Sequence, residues 1–417
     1  MATADVVALQ LEKVKGKPLA RLFHVNDVFW GEIKTRDVEQ VSSREMRIPL
    51  EIRPGSRFGA VNLAGGALGR GTASKYDKAT LTPIASRVAV EMNEDEMIQT
   101  EKEGEKAIVN LVATRVQQSM EEMRVQLNAS LQTAGDGVLA TIAAGGVSGN
   151  DLTMDTPFYA QLLREGQKVS VYNSALTTKR GEAEITKIDF PNNKVTVDAE
   201  PGGTIAGDKI LPEGLSGANP AWYFGIQYHV SDAATGTWLG FSRSTEPAIR
   251  AHRVNLNSNA LTTPPIRLIL NKILQRVGMV NPKNLVAHLH TAQQAAYEEL
   301  ATLISEIRKT ASNEPVDLLF GEQRMAGVRQ QVDIHAARNR IDFLNLEFWG
   351  RAESHPVDFL RDKKSGQITY RPYDSTTGSP VAAMLWYIIW FGQIFVSNPV
   401  SQGYLSDASL PSGYSAI

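Results

Sequence analysis

The chain has 417 residues and a formal charge of −2, from 43 Lys and Arg against 45 Asp and Glu, with no cysteine. The length allows two or three domains with cores of their own. The near-neutral balance excludes the strong basic excess of a dedicated nucleic-acid binder, and the missing cysteines exclude disulfides, thiolate metal sites and cysteine nucleophiles. Met1 is not followed by a basic segment leading into an apolar stretch, so no signal peptide is expected. The most apolar run, Val381–Val396, is 16 residues long and broken by Gly392 and Gln393. It falls short of the ~20 residues needed to cross a bilayer. Its aromatic and β-branched content predicts one or two buried strands instead. No membrane partner is expected, and the protein should be soluble and cytosolic when made.

Residues 1–43 carry mixed charge and scattered apolar side chains (Phe23, Val28, Phe29, Trp30) without a sustained period. They read as an extended arm holding a short helix at most. The arm has enough apolar surface to require packing, on this chain or another. Met46, Ile48, Leu50 and Ile52 then alternate with polar or prolyl neighbours, the period of a half-buried strand. Six glycines between Gly55 and Gly71 make a flexible loop, and Ile84, Val88, Val90 and Met92 predict the return strand. Pro49 and Pro83 demote this pair to edge or free-standing ribbon strands. A two-stranded ribbon is barely stable alone, so it is expected to lean on a neighbour.

From Glu94 to Thr133, apolar residues at spacings of three and four (Ile108, Val112, Val116, Met120, Met123, Leu127, Leu131) predict one long helix. Gly104 marks a weak point, and Gly135 and Gly137 supply the stop. Alternation at Gln167–Tyr172 and Glu182–Ile188, turns at Phe190–Asn193 and Pro201–Gly203, and Lys194–Val197 predict a compact antiparallel β module or small barrel. Thr263-Pro-Pro opens a helix through Val277, Leu285–His290 is a short strand, and Thr291 caps a helix through Lys309. Leu344, Leu346 and Phe348 alternate as another strand, and the tail from Ser397 is irregular. The fold class is therefore α+β.

Catalytic motifs are weak throughout. Gly65–Thr72 (GGALGRGT) resembles a phosphate cradle, but it lacks GK[ST] and precedes a strand, so a flexible loop is the better reading. His288 and His290 flank Leu289 and point the same way on the strand. They could begin a zinc site only with a third ligand; His335 beside Asp333 is the other histidine in acidic company. No GxSxG elbow is present, and Glu298/Glu299 fall on the wet face of a predicted helix. No catalytic residue, cofactor or metal is assigned. An arm and a ribbon that cannot cover themselves suit a subunit whose stable state is an assembly.

The order arm, ribbon, long helix and mixed α/β half resembles the major capsid protein of tailed bacteriophages, the Hong Kong 97-type capsid fold. The stretches 248–267, 284–297 (NLVAHLHTAQQAAY), 340–351 (RIDFLNLEFWGR) and 398–404 (NPVSQGY) are similar in wording to a branch of that family carrying a small inserted β domain. The resemblance implies an N-terminal arm (1–43), an extended β-ribbon loop (44–92) and a peripheral domain with the spine helix (93–157 and 331–380). It further implies an inserted β-barrel-like domain (158–215), an axial domain (216–330 and 381–400) and a C-terminal tail (401–417). The implied function is a non-enzymatic virion subunit forming pentamers and hexamers of an icosahedral head around the phage genome. An encapsulin-like cargo compartment is the same-fold alternative, and a cytosolic hydrolase with an inserted β domain is the alternative from another class. Expected partners are copies of this chain, a separate scaffold protein, a portal, and weak nonspecific contact with packaged DNA. Arg70, Lys75 and Lys78 on the ribbon are the expected inter-subunit contacts; no partner asparagine for a lysine cross-link is identifiable.

Overall fold

Strands outnumber helices in this α+β chain. The computed structural model describes residues 27–42, 44–53, 55–56, 73–94, 105–277, 284–309, 324–361, 366, 368–373, 378–411 and 414. Two compact units result, one from Met1–Trp30, Ile84–Asn128 and Glu353–Gly392, the other from Gly31–Pro83, Ala129–Ala352 and Gln393–Ile417.

The first unit pairs Ile84–Asn93 with the 383–392 part of strand Ala383–Val396, antiparallel, from Asn93 opposite Ala383 to Ile84 opposite Gly392. Strand Trp349–Phe359 flanks the other side of Ala383–Val396. Val90, Met92 and Trp386 form a core with Val88, Val116 and Phe359 against it, because alternate side chains of each strand share one face. The long helix Glu105–Ser130 supplies Met123, 2% exposed. Phe29 and Trp30 of the short helix Val28–Glu32 are also buried. Their amides both donate to Asn128 Oδ1, at 3.1 and 3.0 Å, and Trp30 meets Trp390 edge-on at 4.9 Å. The described end of the arm is thus covered by its own chain. Met123→Asp places a carboxylate at this buried position beside Ser86, and a loss of about 3 kcal/mol or more is expected. Urea unfolding of the variant, with a midpoint equal to that of the wild type, would remove Met123 from the core.

The second unit holds a closed barrel in the order Lys209–Pro212, Ala140–Ser148, Asp151–Met154, Lys194–Val197, Lys179–Asp189, Lys168–Tyr172. Its interior is Leu139, Ile142, Leu152, Val169, Ile185, Val195 and Ile210, among others. The barrel therefore begins upstream of residue 158: Ala140–Ser148 closes it, with Gly145 in the left-handed region. Beside it lies a six-stranded sheet in the order His252–Asn255, Gly403–Ser406, Ile341–Asn345, Leu285–Leu289, Val328–Val332, Arg324–Met325. Helices Thr263–Val277 and Thr291–Lys309 contribute Ile266, Ile269, Ile273, Ala296 and Tyr297 to one core on that sheet.

Four sequence expectations differ from this arrangement. The return strand of the ribbon is Lys75–Leu81, with Leu81 opposite Met46 and Ala79 opposite Ile48, whereas Ile84–Asn93 leaves for the other unit. Pro83 sits between the two strands and ends the first ladder, since it has no N–H to donate. Residues 383–392, expected with the axial part, share a unit with the long helix. Ile341–Asn345, expected with the peripheral part, is a central strand of the six-stranded sheet, and Leu346–Phe348 is a 3-10 turn in which Asn345 Oδ1 accepts from Glu347 N.

Candidate assembly surface

The ribbon is built by alternation. Met46, Ile48, Leu50 and Ile52 point to one side, and the register adds Leu81 and Ala79 to that side. Met46, Ala79 and Leu81 are at most 1% exposed, packed with Trp238, Leu239, Phe241, Ile249, Ala352 and Phe395. The ribbon base therefore has its seat on its own chain, where edge or free-standing strands leaning on a neighbour were expected.

That seat is the hairpin Thr237–Trp238/Phe241–Ser242. Its two turn residues, Leu239 and Gly240, have φ of 47° and 91°. Such a turn matches the twist of the flanking strands, and glycine adopts it freely. Leucine does not. Leu239 is held there because its N–H donates to the Tyr228 hydroxyl at 3.0 Å and its carbonyl accepts from Thr80 N of the ribbon at 3.1 Å. Below, Trp238 Nε1–H donates to His229 Nδ1 at 3.0 Å, leaving His229 Nε2 to donate to the Ile394 carbonyl at 3.2 Å. Burial pushes the His229 pKa down to about 3, so the ring is the neutral Nε2–H tautomer.

The three residues expected to meet other subunits differ in placement. Arg70 lies outside the described residues, as does the glycine segment Gly65–Thr72. Lys75 is ion-paired to Glu246 beside the seat hairpin, so its ammonium is engaged within the chain. Lys78 lies opposite Pro49 on the other side of the ribbon and comes within 3.9 Å of Glu39. Both pairs are partly exposed, where an ion pair contributes roughly 0–1 kcal/mol. Tyr76, opposite Glu51, is 68% exposed and is the main uncovered apolar residue of the ribbon's outward face among the described residues. Sequence reasoning missed Glu246 and the Leu239 turn. Gly240 after an apolar pair was the available signal for the turn, whereas nothing in the sequence links Lys75 to a residue so distant.

The histidines weighed for metal are structural. His288 Nε2 is 3.1 Å from Gln132 Oε1, and His290 Nδ1 accepts from Ala292 N at 3.1 Å, at the start of helix Thr291–Lys309. Asp333 Oδ1 accepts from His335 N at 2.8 Å. Burial, reinforced by the Arg338 cation, pushes the His290 pKa down to about 4. Among the described residues, no three His, Asp or Glu side chains are placed to hold a metal ion. No helix among them is long and apolar enough to cross a membrane.

No family description matches the chain, and no curated protein matches it by sequence. Solved structures do. The cyanophage A-1(L) capsid asymmetric unit aligns at a TM-score of 0.55 and 16% identity, covering 94% of this chain and 95% of that one. The capsid of cyanophage P-SCSP1u aligns at 0.46 and 9% identity (94% and 91% covered), and the capsid of a native GTA particle at 0.44 and 11% (94% of each). Over nearly its whole length, then, this chain has the fold of a phage capsid subunit.

Proposed function

We propose that the chain is the major capsid protein of a tailed bacteriophage, a structural subunit that self-assembles into pentamers and hexamers of an icosahedral head shell enclosing the genome. The observation that carries this reading is the likeness to the cyanophage A-1(L) capsid subunit across 94% of the chain. The parts support it: a ribbon Glu45–Arg53/Lys75–Leu81 for reaching a neighbour, a long helix as spine, and a six-stranded sheet as axial domain. The closed barrel with its own core serves as the inserted domain. On this reading the subunit is made in the host bacterial cytoplasm and ends in the virion. It uses a separate scaffold protein and a portal, and touches packaged DNA weakly, since a net charge of −2 gives little overall attraction to phosphate.

Negative-stain electron microscopy of the purified protein, alone and with the scaffold protein encoded beside it, tests the reading. Rings, tubes or closed shells are expected. Uniform monomers in both conditions would overturn it.

A further inference from the structure

Arg338 carries a charge into the interior of the second unit. It is 4% exposed, on the segment between strands Val328–Val332 and Ile341–Asn345. Its guanidinium lies 4.5 Å from the centre of the Tyr159 ring, Nε donates to Gln161 Oε1 at 3.0 Å, and Nη1 donates to the Tyr414 carbonyl at 3.4 Å. All three partners are neutral. Burial lowers the Arg338 pKa and Tyr159 offsets it, but no carboxylate among the described residues does so. Arginine stays charged nonetheless, and a buried cation without a counter-charge is strongly disfavoured. Arg340, two residues on, meets the same need with Asp342 at 2.7 Å.

The neighbouring group is a hydrogen-bond donor. His290 Nδ1 accepts from Ala292 N at 3.1 Å, so Nε2 carries the proton, and no acceptor for it is found among the described residues. The ring stands at the start of helix Thr291–Lys309, where the backbone favours negative charge. Gln293, in the first turn of that helix, donates from Nε2 to the Arg338 carbonyl at 2.8 Å and so ties the arginine to this helix end. Arg338, Asp333 and His335 are the charged or titratable groups that act on His290. Asp333 is already engaged, Oδ1 by His335 N at 2.8 Å and Oδ2 by Gln132 Nε2 at 3.3 Å.

We propose that a small inorganic anion of chloride size binds beside the Arg338 guanidinium and the His290 Nε2–H. The size follows from enclosure: with Arg338 4% and His290 9% exposed, neither an acidic side chain of another subunit nor a nucleic-acid phosphate has room to reach them. The anion supplies the counter-charge that the chain itself does not. This site is independent of the capsid reading.

Chlorine-35 magnetic resonance on the full chain at pH 7 tests it. Chloride exchanging with a protein site broadens the line, and a saturable broadening is expected in the wild type. It should disappear in Arg338→Met and persist in Arg267→Met, where an exposed arginine is removed instead. The second measurement needs no variant, and decides the matter if Arg338→Met does not fold. The His290 pKa, about 4 under burial and the Arg338 cation, should be about one unit or more higher in sodium chloride than in sodium gluconate of equal ionic strength. Gluconate is too large to enter, whereas bound chloride stabilises the imidazolium. The site is overturned if the two methionine variants broaden the line equally, or if the His290 pKa is the same in both salts.

Discussion

Replacing Gly225 by alanine should abolish recovery of folded protein. The residue has extended backbone, φ −88° and ψ −167°, so alanine faces no conformational obstacle there. Space is the obstacle. A Cβ at Gly225 would collide with the carbonyl oxygens of Leu131 and Thr133 and lie 2.7 Å from the Leu131 carbonyl carbon. Those atoms belong to the segment following the long helix, and Ile226 N–H donates to the Leu131 carbonyl at 2.7 Å, so the two backbones are held at contact. Neither backbone can retreat as a flexible side chain would, and a loss of about 3 kcal/mol or more is expected, a large share of a domain's ~5–15 kcal/mol. Gly202→Ala is the matched control, because a Cβ there meets nothing within 4 Å and its φ is not left-handed. It should shift stability by less than ~0.5 kcal/mol. Comparable soluble yield and urea midpoint for the two variants would refute the close approach.

Acidification from pH 7 to 4.5 should destabilise the second unit by about 5 kcal/mol through two histidines. His229 and His290 have pKa values of about 3 and about 4 in the folded chain, against 6.5 when exposed. Between those limits the unfolded chain binds protons that the folded chain refuses. Stability is therefore full above pH 6.5, falls as pH drops below it, and has lost its whole histidine share once the folded pKa values are passed. The carboxylates Asp151, Glu182 and Asp198, whose pKa values are lowered chiefly by hydrogen bonds from Lys194, Lys179 and the Glu184 amide, act mainly below about pH 4.5. The window between is left to imidazole. Urea midpoints at pH 7, 5.5 and 4.5 check this, and His229→Gln should remove about half of the slope. A midpoint that does not move over this range would show that these rings are reached by protons in the folded chain.

Local period carried most of what was legible in the sequence. The Met46–Ile52 strand, the helix Thr263–Val277 and the strand within Val381–Val396 all follow from alternation or capping. Pairing did not follow. Ile84–Met92 alternates more clearly than Lys75–Leu81, whose apolar residues are only Tyr76, Ala79 and Leu81, so the stronger pattern looked like the ribbon's return. Its true partner, Ala383–Gly392, lies far along the chain, and no local rule connects them. The barrel was underestimated for a related reason: Ala140–Ser148 is rich in alanine and glycine and reads as a turn until Asp151–Met154 and Lys209–Pro212 pair with it. At the ribbon, Lys75 was legible as a cation, whereas Glu246 and the left-handed Leu239 needed the tertiary arrangement that brings them to it.

The seating of the ribbon base has a mechanical consequence. Met46, Ala79 and Leu81 are clamped against Trp238 and Leu239, and Thr80 is hydrogen-bonded to the Leu239 carbonyl, while Tyr76 and Lys78 stand in solvent on the far side. Ile48, Leu50 and Ile52 pack against the same core and Lys75 is tied to Glu246, so the described length of the ribbon is held along one whole face. Lifting it would have to open that core rung by rung from the Arg53–Lys75 end, which makes the described ribbon a stiff extension of the core beneath it.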